Sequence, residues 1–153
     1  MRTHKPKEVS LIGAVHIAKQ IRKYLSETLP HRADKMEANM EANMGNKAKW
    51  LSDIVDETTS DVNALCRSLI DGDTAYTVNR DLSDALLYLE LANNQMLRLS
   101  DDINKLFDFH VIDARQAFFV GGLMGQLKPA IKNWRQICKK KYKEEMKQPI
   151  RDE

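Results

Sequence analysis

Turn-forming residues are scarce in this chain. Glycine occurs six times and proline four times in 153 residues, well below ordinary usage. A β-sandwich or a doubly wound α/β domain needs many more of both at its turns, so neither is expected. Two cysteines, Cys66 and Cys138, are too few for a disulfide framework or a metal knuckle. No apolar run approaches the ~20 residues that cross a bilayer, and no charged–apolar–small signal opens the chain. A soluble, cytoplasmic protein with no membrane partner is therefore expected. The four histidines, His4, His16, His31 and His110, are scattered, and none has a carboxylate or cysteine at metal-ligand spacing. Gly121-Gly122-Leu123-Met124-Gly125 has no Lys-Ser/Thr after it and no strand before it, so it is no phosphate loop. The sequence thus points to no catalytic residue, no metal and no cofactor, and the expectation is a protein that is not an enzyme.

What the chain does contain is helical periodicity. Apolar residues make up 42% and charged residues 30%, the balance of a single globular domain spanning 1–153, with flexible ends expected at about 1–6 and 143–153. Leu11, Val15, Ala18 and Leu25 recur at steps of three and four across 7–29, and Leu29-Pro30 is expected to end that helix. A second helix is predicted over 31–70, through Met36, Met40, Met44, Leu51, Ile54, Val62, Leu65 and Leu69, with Asp71-Gly72-Asp73 as its stop. Leu82, Leu86, Leu89, Met96, Leu99, Ile103 and Leu106 carry a third over 79–107, with Asn79 as its expected N-cap. A fourth runs from Ile112 to Lys147 and contains Pro129, where it either kinks or restarts. Four amphipathic segments joined by short connections predict an all-α fold, an antiparallel up-down-up-down four-helix bundle. The Met36/Met40/Met44 stripe reads as a core filler or a docking surface.

Charge is partitioned along the chain. Residues 1–35 carry eight Lys/Arg against three Asp/Glu, and 128–153 carry nine against four. Residues 36–80 and 81–127 each have a net charge of −4. In an up-down bundle the first and fourth helices are neighbours, so both basic ends would share a side and attract phosphate polymers or acidic surfaces. Lys128, Lys132, Arg135, Lys139 and Lys143 follow helical steps on one face, while Leu127, Ile131, Trp134 and Cys138 repeat one residue earlier, about 100° away. Lys140 and Lys141 extend the patch, and Lys19 and Lys23 add a pair from the first helix. These nine cations are the candidate nucleic-acid contacts, sequence-independent and salt-dependent. The Gly121, Gly122, Gly125 cluster costs ~1 kcal/mol per glycine against alanine in a helix. It asks for a compensating close approach, within the bundle or across a subunit contact, unless the helix simply breaks there.

This order of features resembles the four-helix bundle proteins of ribosomal-RNA intervening sequences and their relative, the accessory variability determinant (Avd) of diversity-generating retroelements. It rests on Leu29-Pro30 followed by His31-Arg32, on Gly45 early in the second helix, on the leucines from Leu82 to Leu91, and on Gly121-Gly122-Leu123-Met124-Gly125 followed by Lys132-Asn133-Trp134-Arg135. Where the family typically has Gly-Gly-Trp or Gly-Ser-Trp, this chain sets Trp134 nine positions after the last glycine and inserts Pro129 between them. The resemblance implies a homo-oligomer, a pentamer in that family, in which Gly121, Gly122, Gly125 and Trp134 would serve helix or subunit packing. It also implies binding of RNA or an RNA–DNA hybrid and docking of a reverse transcriptase. The alternative reading is a phage- or plasmid-type protein-interaction bundle, an inhibitor or adaptor. Its acidic Asp53, Asp56, Glu57, Asp61, Asp101 and Asp102 would then meet a basic partner.

Overall fold

The computed structural model describes residues 8–43 and 46–147, with side chains described for 8–29 and 49–147. Four helices account for nearly all of it: α1 Leu11–Asn43, α2 Asn46–Thr77, α3 Leu82–Asp108 and α4 Ala114–Lys147. Among the described residues there is no strand. Helix pairs α1–α2, α2–α3, α3–α4 and α1–α4 pack together, so each helix packs mainly on two neighbours and α1 does lie beside α4.

The core is the predicted apolar stripe. Ile21, Leu29, Leu65, Leu69, Leu89, Met96, Leu99, Leu106, Leu127 and Ile131 are all fully buried, one set from each helix. Close packing of such side chains supplies the main favourable term, at ~25 cal/mol per Å² of apolar surface removed from water. No helix among the described residues is long and apolar enough to cross a membrane.

The helix ends differ from the sequence reading in instructive ways. α1 does not stop at Leu29-Pro30 but continues to Asn43. Leu25 and Leu29 are both buried, and their packing outweighs the preference of a pre-proline residue for extended backbone. The second helix consequently begins at Asn46 rather than 31. It also runs through Asp71-Gly72-Asp73 to Thr77, because Gly72 is buried against Tyr88 and Leu89 of α3 and Ala75 is buried beyond it. α3 is capped by Asp81, whose carboxylate accepts from the Asp84 N–H at 3.0 Å, and not by Asn79. α4 opens with a reciprocal box: Asp113 Oδ1 accepts from the Gln116 N–H at 2.8 Å, and Gln116 Oε1 accepts from the Asp113 N–H at 3.0 Å. The helix passes through Pro129 without a break and includes 143–147. Met36 and Met40 belong to α1, but their side chains, like Met44 and Gly45, lie outside the described residues, as do 1–7 and 148–153.

Candidate functional site

α4 buries Leu127, Ile131 and Cys138 and turns its opposite side to solvent. Lys128, Lys132, Arg135, Lys139 and Lys143 fall within an arc of about 80° around the helix. From Lys128 to Lys143 the row is about 22 Å long, at 1.5 Å per residue. Lys128, Lys132, Lys139, Lys140 and Lys143 are exposed, and none of the five has a carboxylate within ion-pair distance among the described residues. Lys128, Lys132, Lys139 and Lys143 share that arc and Lys140 stands about 60° further round, and together they form a track for a phosphate backbone.

The remaining candidate cations are placed differently. Arg135 is half-buried and leans on Glu90 of α3 at 3.9 Å. Lys141 turns toward α2, where its ammonium donates to the Tyr76 hydroxyl and stands 5.0 Å from that ring's centroid. The hydrogen bond to Tyr76 holds the Lys141 ammonium above the usual lysine range. Lys19 and Lys23 are exposed but line a groove between α1 and α2 with Thr59, Val62 and Asn63. Lys128 lines the groove between α3 and α4 with Met96, Ser100 and Phe107. Lys23 also lines a groove between α1 and α4 with Tyr24, Phe119 and Leu123, so the structure brings together the α4 row and sets the α1 pair beside it on a neighbouring helix, outside the row itself.

The glycines and Trp134 separate in the same way. A Cβ built on Gly121, Gly122 or Gly125 would meet nothing within 4 Å, so close helix approach within the bundle is not what these glycines serve. They form an open strip on α4, followed by exposed Pro129 and preceded by Phe118, which is 84% exposed. Trp134 instead works inside the chain. Its Nε1–H donates to the Val9 carbonyl at 2.9 Å, and its ring meets Tyr76 edge-on at 5.2 Å. It ties the start of α1 to α4 and to the end of α2.

One group escaped the sequence reading as a site. Of the acids assigned to a solvated acidic side, Asp102 is in fact 2% exposed. One carboxylate oxygen each of Glu57, Asp61 and Asp102 lies within 4.8 Å of the others. Oδ2 of Asp61 and Oδ2 of Asp102 are buried with no hydrogen-bond partner. Burial, then the adjacent Asp61 carboxylate and the charge of Glu57, push the Asp102 carboxyl up to about 8, against a smaller opposing pull from Lys105. The sequence held the signal: Glu57 and Asp61 are one helical turn apart, and Asp102 stands at steps of three and four from buried Leu99 and Leu106. The two thiols are buried as well, and desolvation raises both above their ordinary value.

The fold and surface define an all-α four-helix protein with a cationic helix face. No family model, curated protein or solved structure matches the chain.

Proposed function

We propose that this chain is a non-enzymatic, cytoplasmic accessory protein that binds RNA or an RNA–DNA hybrid along α4. The observation that carries the reading is the row Lys128, Lys132, Lys139, Lys140 and Lys143, exposed and without ion-pair partners on one helix. Contacts from such a row go to phosphates, so binding is sequence-independent and salt-dependent. The resemblance to Avd supports a reverse transcriptase as the protein partner. The short connections and the cyclic neighbour pattern support an up-down-up-down order. The open Gly121/Gly122/Gly125 strip beside exposed Phe118 supports a homo-oligomer built through the first half of α4.

The test is charge reversal. A Lys132→Glu, Lys139→Glu, Lys143→Glu variant should lose RNA affinity at least tenfold in a mobility shift, with its circular dichroism unchanged. Lys19→Glu with Lys23→Glu should cost far less, since that pair lies on α1, outside the α4 row. Equal affinity in the triple variant overturns the reading. It would leave the exposed acids Asp53, Asp56 and Asp101 as the docking surface of a protein-interaction bundle.

A further inference from the structure

We propose that Glu57, Asp61 and Asp102 form a binding site for one hard divalent cation of the Mn2+/Mg2+ class at the seam of α2 and α3. The donor set is all carboxylate oxygen, which selects hard cations over the soft metals that take thiolate or imidazole. The spacing fits. Ligands 2.0–2.2 Å from an octahedral ion stand about 3 Å apart when adjacent and about 4.2 Å apart when opposed, and these three oxygens lie within 4.8 Å of one another. Helical geometry sets the cluster without strain, because Glu57 and Asp61 project from successive turns of α2 and Asp102 projects from α3 into the seam.

The second observation is the state of Asp102 itself. Its carboxylate is buried and Oδ2 has no hydrogen-bond partner, which is costly for an acid unless a proton or a cation balances it. The nearby ammonium of Lys105 is committed to Asp101 at 3.2 Å and lies at the surface. Thr58, buried beside the cluster in sequence, donates its hydroxyl to the Ile54 carbonyl. Neither forms a hydrogen bond or ion pair with the unpartnered oxygens. Glu57 is exposed, so the site opens to solvent on one side, and water completes the coordination as Mg2+ and Mn2+ prefer. A cation held there would join α2 to α3 by ligands from both helices.

The experiment uses the full chain, stripped with chelator and dialysed, titrated with Mn2+ at pH 7.5 by calorimetry and by the loss of the free-ion electron paramagnetic resonance signal. The proposal expects one saturable Mn2+ per chain, with a melting temperature that rises and levels off over the same concentrations. Asp102→Asn and Asp61→Asn should each weaken uptake by at least about tenfold. Asp53→Asn, which removes an exposed acid of the same helix outside the cluster, should bind as the parent does. Circular dichroism of each variant separates lost binding from lost folding, and Asp61→Asn serves if Asp102→Asn perturbs the core. Three results overturn the proposal: no saturable uptake up to millimolar Mn2+, equal weakening by Asp53→Asn, or unchanged uptake in folded Asp102→Asn. The first of these, with Asp102→Asn more stable than the parent at alkaline pH, identifies the cluster as an acid pair that holds a proton.

Discussion

Single buried polar groups mark where this bundle departs from a plain apolar core. In cation-free protein the Asp102 carboxyl titrates at about 8 when folded and near 3.9 when unfolded. The folded chain therefore binds more protons between those values, and stability present at pH 4 is lost as pH rises through about 8, by up to about 1.4 kcal/mol per pH unit. Asp61 and Glu57 from α2 oppose ionisation, and Lys105 of α3 favours it. Asp102→Asn keeps the shape and cannot ionise. Urea titrations should find it within about 1 kcal/mol of the parent at pH 5 and more stable by a few kcal/mol at pH 9. Equal destabilisation at both pH values contradicts the assignment. Trp134→Phe keeps the edge contact with Tyr76 but removes the bond to the Val9 carbonyl. It should lower stability by about 1 kcal/mol, with the loss seen as faster amide exchange in the first turn of α1. Asp102 was legible only in part: its helical register pointed inward, but acidic side chains are so seldom buried that composition assigned it to the surface.

At the scale of the helix, periodicity was a sufficient guide to existence and a poor guide to ends. The buried faces of α3 and α4 follow the predicted stripe through Leu89, Met96, Leu99, Leu127 and Ile131. The stops failed where packing continued past them. Leu29 is buried before Pro30, and Ala75 is buried after Gly72, so tertiary contacts overrode local breakers that are worth ~1–3 kcal/mol each. The true end of α3 uses a device without an obvious sequence signal. His110 takes a left-handed φ of 61° while the Val111 N–H donates to the Leu106 carbonyl at 2.8 Å. Glycine adopts that conformation without the side-chain penalty, so His110→Gly should raise the thermal midpoint, by roughly 1 kcal/mol of stability. The glycines of α4 give the converse case. An added Cβ at Gly122 meets nothing, so Gly122→Ala should stabilise the protomer by up to ~1 kcal/mol. If the open strip is a subunit contact, the same substitution lowers the native mass measured by light scattering, from about 88 kDa for five 17.6 kDa chains. A protomer destabilised by Gly122→Ala contradicts the open geometry.

Taken whole, the molecule is polar in charge along its sequence but less simply so in space. The two basic ends belong to adjacent helices, yet Lys19 and Lys23 line the α1–α2 groove, with Lys23 also at the α1–α4 groove, while Lys128 sits at the α3–α4 groove. Spacing within one helix could be read from the sequence, so the α4 row was visible there. Which groove each helix face adjoins depends on the rotation of α1 about its axis, which the buried residues of all four helices fix together. Only the α4 row survives as a continuous track, and the outer face of that helix changes character near Pro129, from apolar and small to cationic. The central claim is that this row holds a phosphate backbone. The most direct measurement is the affinity for a single-stranded RNA homopolymer across salt, by fluorescence anisotropy, in the parent and in the Lys132→Glu, Lys139→Glu, Lys143→Glu variant. Five lysine–phosphate contacts predict a slope of log affinity against log salt of about −3.5, falling to about −1.4 when three are removed. A parent slope near zero, or an unchanged slope and affinity in the folded variant, contradicts the account.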